Sequence, residues 1–517
     1  SIRPFVLASF AGLICFTYFL YNFVPTGFVP EEDQGYFFTI VQAPDGVSLN
    51  YTDKIMEQVG EKMSKIDEID GYFTLSGFGF DGNGSNRGFV FSKLKPWARR
   101  PGENKSVYSI LGRLNDSSFR EIRGARAFAI NAPPVRGLST FGGFEFQLQD
   151  RRGLPISALV ENANKIMAAA SERPEISAAF TQFAANTPQI EVEVNRDRAK
   201  ALNIDVDDIF NTLQSYLGSR YVNDFVLGQR QYRVYIQAEG NYRTNPDDIN
   251  KLYVRSGNQE LIPLANLVNL KEFTGPQIIT HYNLFRSINI QGNPATGYST
   301  GQAIQAMEEV AAEILSPAFG YEWTGTALEE KNSGGQSAII FSLGLIMAFL
   351  VLAAQYESFI DPFIIMLTVP LAIFGAILAI WLRANIWQAG SLWPLINNDV
   401  YCQVGLVMLI GLASKNAILI VEYANQLKEQ GLSVAKAAIK AGQERFRPIL
   451  MTAISSLVGF LPLVTASGAG AASRWSLGTA VFGGLLFATV LSLFLVPSLY
   501  ITIKNIESYW RQGKVKE

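Results

Sequence analysis

The chain has a single histidine, His281, and two cysteines, Cys15 and Cys402, among 517 residues. Both cysteines sit inside apolar runs, which argues against a disulfide framework and against a metal site built on thiolates. A lone histidine is ordinarily a surface or core residue, so His281 is assigned no role. Charge is also scarce: Asp, Glu, Lys and Arg supply 17% of residues, against about a quarter in a typical soluble chain. A net charge of −2 argues against nucleic acid as a partner. The sequence has no lysine-bearing phosphate loop, no nucleophile–base pair and no metal-ligand spacing, so ATP hydrolysis and resident-metal chemistry are not expected of it.

The charge deficit is uneven. Residues 26–335 have the composition of an ordinary soluble protein, whereas 4–24 and 337–503 hold long apolar runs, a membrane pattern. A helix needs about 20 apolar residues to cross a bilayer. The segments 4–24, 337–356, 362–383, 400–424, 447–466 and 475–503 qualify. Pro362 and Pro448 are read as helix starts, where a missing N–H costs nothing. Ser467-Gly-Ala-Gly470 is read as the turn between the last two spans. The first run is too long for a signal-peptide core and lacks a small-residue cleavage site. Because the chain opens at Ser1 rather than Met and enters that run at once, its start is expected to be a cut. Lys428, Lys436, Lys440, Arg445 and Arg447 flank one connection, and Lys504, Arg511, Lys514 and Lys516 follow the last span. Counting crossings puts both groups on one side, which the positive-inside rule makes cytoplasmic and which sends 26–335 to the other side.

Within the soluble part, strands at Tyr36–Val41, Gly71–Phe80, Gly88–Leu94 and Ala125–Asn131 alternate with helices at Leu49–Ile66 and Val107–Ile122. The order is β-α-β-β-α-β, the split βαβ motif. A second unit begins with strand Gly143–Gln149, helix Ile156–Glu172 and a strand near Ile176–Gln182. It is completed late, by strand His281–Gln291, helix Thr300–Leu315 and strand Gly320–Gly325. Residues 187–273 read as a domain inserted between the two parts. The expected fold is therefore a bundle of six transmembrane helices with a large α+β region of split βαβ (ferredoxin-like) subdomains and an insertion.

Lys415 is the sharpest chemical signal. It lies near the middle of the 400–424 span, where a charge costs about 3 kcal/mol or more and marks a functional site by default. A snorkelling lysine is the bland alternative, but both span ends are distant. A buried ammonium needs a carboxylate partner. Glu422 is roughly 10 Å away along the helix axis, and Asp361, Asp399, Glu357 and Glu444 sit at span ends. The partner acid is expected on helices outside this chain, where a carboxylate that alternates between Lys415 and a proton would couple proton flow to motion. Arg445 and Thr452 lie two turns apart on one helical face. For Arg445 a topology-setting interfacial charge is an equally good reading, and a membrane threonine ordinarily bonds its own backbone. In the soluble part, Gly77-Phe-Gly-Phe-Asp81-Gly-Asn-Gly-Ser-Asn86 is a Gly-rich loop whose glycines loosen the backbone around Phe78 and Phe80. Phe73, Leu75 and Phe91 lie on the flanking strands and alternate as one face should. Phe73 and Phe91 are also fair candidates for sheet core, whereas a loop does not easily bury both of its phenylalanines.

At these motifs the sequence resembles the resistance-nodulation-division multidrug efflux pumps of Gram-negative bacteria, in the hydrophobe/amphiphile exporter branch. The resemblance runs along essentially the whole chain and is carried by Phe28-Val-Pro-Glu-Glu-Asp-Gln-Gly35, the Gly77–Gly84 loop, Tyr221-Val-Asn-Asp-Phe225, Asn398-Asp-Val-Tyr-Cys-Gln-Val-Gly405, Gly411–Glu422 and Arg445-Phe-Arg-Pro-Ile-Leu-Met-Thr452. It implies the C-terminal half of a proton/drug antiporter rather than an enzyme, an inner-membrane protein with its large domain in the periplasm. The implied partners are the N-terminal half of the same pump, two further copies in a homotrimer, a periplasmic adaptor, a TolC-type outer-membrane channel, membrane lipids and hydrophobic or amphipathic small molecules. Protons are the implied coupling ion, with no other cofactor. The implied organisation is a first helix in 1–25, a porter subdomain in 26–151, a second in 152–186 with 274–330, a docking subdomain in 187–273, five helices in 331–505 and a cytoplasmic tail in 506–517. The implied proton relay is Lys415, Asn416, Arg445 and Thr452. A deep drug pocket would be lined by Phe73, Leu75, Phe78, Phe80 and Phe91, and an outer pocket would use Phe128, Ile130 and Glu145. A switch loop between them would hinge on Gly77, Gly79, Gly82 and Gly84. The sequence departs from the family pattern at Asn83 and Phe180, where arginines are common, and at Gly137, where an acid can occur. These changes make the entry region less charged. Phe, Leu and Ile at the pocket positions argue against metal export. Two other readings remain: a lipid or cell-envelope exporter on the same scaffold, and a half-protein that acts only with a partner half.

Overall fold

A computed structural model describes residues 3–80, 82–334, 336–388 and 395–514. Ser1, Asp81 and Lys516 lie outside the described residues, as do the side chains of Arg511 and Lys514. The chain divides into two compact units, 1–183 with 279–517 and 184–278.

The first unit opens with α1 (Arg3–Phe23). Then follow β1 (Tyr36–Gln42), α2 (Leu49–Ser64), β2 (Ile69–Ser76), β3 (Arg87–Leu94), α3 (Val107–Arg113) and β4 (Arg126–Asn131). Ser48 and Ser106 cap α2 and α3, each accepting a backbone N–H of the first turn, as polar N-caps do. The four strands form one antiparallel sheet in the order β2-β3-β1-β4. Period-two alternation sends Phe37, Val41, Val90 and Ala129 to one face, where they bury Ile55, Met56 and Val59 of α2 and Val107 and Ile110 of α3. The other face carries Phe38, Ile40, Phe89 and Phe91.

β5 (Phe144–Asp150), α4 (Ile156–Ser171) and β6 (Ile176–Phe180) come next. The second unit then intervenes with β7 (Thr187–Val194), α5 (Arg196–Ala201), α6 (Val206–Leu213), β8 (Arg220–Leu227), β9 (Arg230–Ile236), β10 (Tyr253–Arg255), β11 (Leu261–Pro263) and β12 (Val268–Gly275). β7 and β12 pair antiparallel beside a small core of Ala199, Ile209, Leu264 and Leu267. β8 and β9 form a hairpin that leaves most of its side chains exposed.

The first unit resumes with β13 (Thr280–Tyr282), β14 (Phe285–Pro294), α7 (Thr300–Ile314), β15 (Phe319–Thr324) and α8 (Gly325–Ser333). β14 pairs with β5 along one edge and with β13 and β6 along the other, and β15 closes the far side of β5. Phe146, Leu148, Ile288 and Ile290 pack against Leu159 and Ile166 of α4 and Ile304 and Met307 of α7.

The apolar part is α9 (Gln336–Tyr356), α10 (Ile360–Met366), α11 (Val369–Leu382), α12 (Val400–Glu429), α13 (Val434–Val464) and α14 (Ala471–Lys514). Among the described residues, six helices, α10 and α11 counting as one, are long and apolar enough to cross a membrane. α11, α12 and α14 pack most closely, while α1, α9 and α13 leave most of their surface open. Gly375 on α11 meets Gly483 and Gly484 on α14, where an added Cβ would fall 2.5 Å from a backbone oxygen. Small residues at such crossings let helix backbones approach. One sequence expectation needs correction. Pro448 does not start a helix: α13 begins at Val434 and runs through both Pro448 and Pro462, because apolar spans tolerate proline where neighbouring groups satisfy the freed carbonyl. The span expected at 362–383 is present as Ile360–Ile386, with a turn at Leu367–Thr368 ahead of Pro370.

Candidate functional site

The residues singled out above fall in two regions, one on the apolar helices and one on the soluble sheets. Lys415 lies near the midpoint of the 30-residue α12. The helix buries Leu409, Ala413, Asn416, Ala417 and Ile420 against its neighbours, and Lys415 points away from them. With Val404, Met408, Gly411 and Glu422 it forms an exposed stripe. Among the described residues no carboxylate lies within ion-pair distance of Lys415, whereas Lys504 is held 2.8 Å from Asp361 in a buried pair. Asn416 faces inward and donates to Thr489 Oγ1 on α14 at 3.2 Å. Arg445 is half-buried, its guanidinium 4.5 Å from the Tyr423 ring centroid, and its Nε is buried without a hydrogen-bond partner. Thr452 donates to Ile449 O at 3.1 Å. Lys415, Arg445 and Thr452 therefore make no mutual contact through hydrogen bonds or ion pairs among the described residues.

The second region is the face of the β2-β3-β1-β4 sheet opposite α2 and α3. Cross-strand register puts Phe73 opposite Phe91, Phe91 opposite Phe38, and Phe38 opposite Ile130. One step along, Leu75, Phe89, Ile40 and Phe128 line up in the same way. Eight apolar side chains thus share one face, and Phe73 is 60% exposed, which removes it and Phe91 from the sheet core. Of the loop phenylalanines, Phe80 is exposed and Phe78 half-buried. Phe80 stands edge-on to Phe89 and Phe141 at 5.0 and 5.1 Å, and Phe78 stands edge-on to Phe80 and Phe89.

Gly77 N donates to Arg87 O, Gly84 N to Gly77 O and Gly82 N to Gly79 O. Arg87 Nη1 donates to Gly82 O at 3.0 Å. Gly77 and Gly82 have φ of +84° and +130°, values that favour glycine. Gly79 leaves room for Arg87, whose Cδ would lie 2.8 Å from an added Cβ.

Between this sheet and the β5–β6 layer lies a cavity of about 460 Å³, with Ile40, Arg126 and Phe128 on one wall and Met167 and Phe180 on the other. Phe128 and Phe180 stack across it with centroids 5.7 Å apart and planes 13° apart. Of the residues assigned to the outer pocket, only Phe128 lines this cavity. Ile130 is buried with Ile40 and Phe141. Glu145 accepts from Thr140 N and Thr324 Oγ1, at 3.1 Å each, and so ties β5 to β15. Phe38, Phe89 and Phe141 belong to the aromatic group although sequence reasoning did not single them out. For Phe38 the alternation Tyr36-Phe-Phe-Thr-Ile40 carried the signal.

The family model described as AcrB/AcrD/AcrF matches residues 2–504. The toluene efflux pump membrane transporter TtgB of Pseudomonas putida is 41% identical over 505 residues, covering 97% of this chain and 47% of the relative. In Escherichia coli K12, multidrug resistance protein MdtF is 38% identical over 493 residues and multidrug export protein AcrF 36% over 503, covering 95% and 96% of this chain. The chain spans about half the length of these relatives. Together with six membrane-length helices among the described residues, these matches make it a multi-pass inner-membrane protein. The chain belongs to the AcrB/AcrD/AcrF family of resistance-nodulation-division transporters.

Proposed function

We propose that this chain is the second half of a proton-driven efflux pump that exports apolar and amphipathic compounds from the periplasm or inner membrane toward an outer-membrane channel. The observation that carries the reading is Lys415, an ammonium at mid-helix on an exposed stripe, with no acid in ion-pair range among the described residues. A charge at that depth is retained only where it is used, so its partner is an acid on the first half of the pump, which gives up Lys415 when it takes a proton. Asn416, Arg445 and Thr452 serve the same relay. The two sheet units are split βαβ porter subdomains, 26–151 and 152–186 with 274–330, and 187–273 is the docking subdomain. Substrate moves over the Phe73, Leu75, Phe78, Phe80 and Phe91 face and through the Phe128 cleft, past the Gly77–Gly84 switch loop. Ile130 and Glu145 act from behind this path, by packing and by bracing β5. The pump works as a homotrimer with a periplasmic adaptor and a TolC-type channel, uses no cofactor besides protons, and takes alternating-access steps. The test is Lys415→Ala in the full-length protein, with drug accumulation in cells and assembly state in detergent measured together. Loss of efflux with assembly intact is expected. Normal efflux from the assembled variant would remove the coupling role.

A further inference from the structure

A second cavity, of about 410 Å³, lies where residues 31–33 meet Trp97, the start of α3 and the turn between α13 and α14. It sits at the ends of two membrane-length helices. Trp97 and Trp475 form part of its wall, and indoles are enriched at such interfaces. Gly468 of the turn lies against Trp97, whose ring would be 3.8 Å from an added Cβ. The volume falls within the range of small-molecule sites.

The charges around it sort cleanly. Glu32 is consumed by the start of α14, accepting from Ala472 N, Ser473 N and Ser473 Oγ. Asp33 takes both arms of Arg100 at 2.5 and 2.6 Å. Nearby Arg383 donates to Val464 O and Thr479 Oγ1, and Arg474 donates to the carbonyls of Ser467, Ala469 and Gly470. Glu31 remains. It is partly buried and lines this cavity and the adjoining one of about 370 Å³. Among the described residues it has neither a hydrogen bond nor an ion pair. Burial holds its carboxyl above the ordinary value, the mark of a carboxylate that lacks a counter-ion.

We infer that this cavity binds the ammonium headgroup of an amphiphile, with Glu31 as counter-ion and the indoles of Trp97 and Trp475, which already carry the guanidiniums of Arg100 and Arg383 on their rings, as its apolar wall. Two sources share this chemistry, an ethanolamine phospholipid of the surrounding leaflet and a free cationic amphiphile. The site is separate from the Phe128 cleft, and equilibrium binding needs no proton gradient, so the inference stands apart from the efflux reading.

The experiment is native mass spectrometry of the full-length protein released from dodecyl maltoside and titrated with dodecyltrimethylammonium or, as the anionic control, laurate. The ammonium should bind more tightly than laurate, and Glu31→Gln should weaken it by about tenfold while leaving laurate unchanged. Because Glu31→Gln could misfold, a second arm uses Ser467→Cys in a Cys15→Ser background. Ser467 is exposed and lines the cavity, so a bulky maleimide there should block ammonium binding that the unlabelled protein retains. Displacement by phosphatidylethanolamine but not by phosphatidylglycerol identifies the leaflet lipid as occupant, and failure to displace identifies the free amphiphile. Equal binding of laurate and ammonium, or ammonium binding that withstands both Glu31→Gln and the Ser467 label, overturns the inference.

Discussion

Glu330 offers a quantitative test of how the soluble region is fastened to the helices. It projects from α8 into the junction formed by the exit of α1 and the start of α7. Its Oε2 accepts from Thr300 Oγ1 at 2.8 Å, and its Oε1 is buried without a partner. Gly301 leaves the space for it, since an added Cβ would lie 2.9 Å from Oε1. No ion pair reaches Glu330 among the described residues, and its neighbour Lys331 is held by Glu308. Burial therefore dominates, and the carboxyl is pushed up from 4.5 to about 7, with Thr300 and the Phe28 amide opposing the rise. A carboxyl that keeps its proton more tightly when folded contributes stability at low pH and loses it as pH rises. Below pH 4.5 both states hold the proton. Between about 4.5 and 7 only the folded state does, and above 7 the full cost of the buried charge, about 3 kcal/mol, is present. Glu330→Gln keeps the shape and the acceptor for Thr300 but cannot ionise. Thermal unfolding in detergent, followed by intrinsic fluorescence from pH 5 to 8, should show a falling midpoint for the wild type and a flatter profile for the variant. The variant should be the more stable at pH 8 and show little advantage at pH 5. Parallel profiles would refute the assignment of the buried charge to Glu330.

Three further substitutions, one of them with a control, probe other parts of the fold. In Asp33→Ala, Arg100 is left buried without its partner; the expected loss is about 3–5 kcal/mol, read as a lower unfolding midpoint and poor membrane yield. The same pair has a pH signature, because burial alone would raise the Asp33 carboxyl but Arg100 and the amides of Val107 and Gly35 outweigh it and hold it below the ordinary value. Its contribution is thus present above about pH 4 and lost on further acidification. Gly375→Leu overfills the α11–α14 crossing, and a loss of about 1–3 kcal/mol should appear as a lower unfolding midpoint and a smaller folded fraction on gel filtration, whereas Gly459→Ala, on α13 with open space around it, should leave both near the wild-type values. Phe180→Arg removes the stack on Phe128, worth about 0.5–1.5 kcal/mol, and should reduce protection against apolar compounds in cells by about two- to tenfold without changing assembly; an unaltered compound range would separate the stack from selectivity.

What the sequence made legible followed from local rules. Apolar run length located the membrane helices, and the midpoint position of Lys415 was visible from counting alone. Alternation around Phe73 and Phe91 indicated a shared face. It could not say whether a helix covers that face, because coverage depends on which side of the sheet α2 and α3 take. Residues joined across long separations were hidden. Asp361 had been set aside as a span-end acid and Lys504 read as a topology charge, yet they meet in a buried pair. Nothing in either local pattern specifies the other. The Gly77–Gly84 loop illustrates a different limit. Its glycines suggested looseness, but glycine also permits the positive φ seen at Gly77 and Gly82 and the close Arg87 approach at Gly79, and composition alone cannot distinguish these two uses.

The segment Glu31-Glu32-Asp33 shows how three like charges in a row acquire different physical roles. Asp33 fixes the segment to the soluble sheet, through Arg100 and the α3 amide of Val107. Glu32 fixes it to α14, where a carboxylate also complements the positive end of the helix. A few residues earlier, Asn398 N donates to Pro25 O and Val400 N to Phe28 O, so the same segment is tied to the start of α12. Backbone and side-chain bonds thus join two packed membrane helices to one sheet through fewer than ten residues. A displacement of α12 or α14 along its axis must either break these bonds or carry the segment, and with it Arg100 and α3, in the same direction. Two charges of the polar triplet are thus satisfied on opposite sides of the junction, Asp33 by Arg100 and Glu32 by the start of α14. The third, Glu31, is left available at the same junction for a cation from outside the chain.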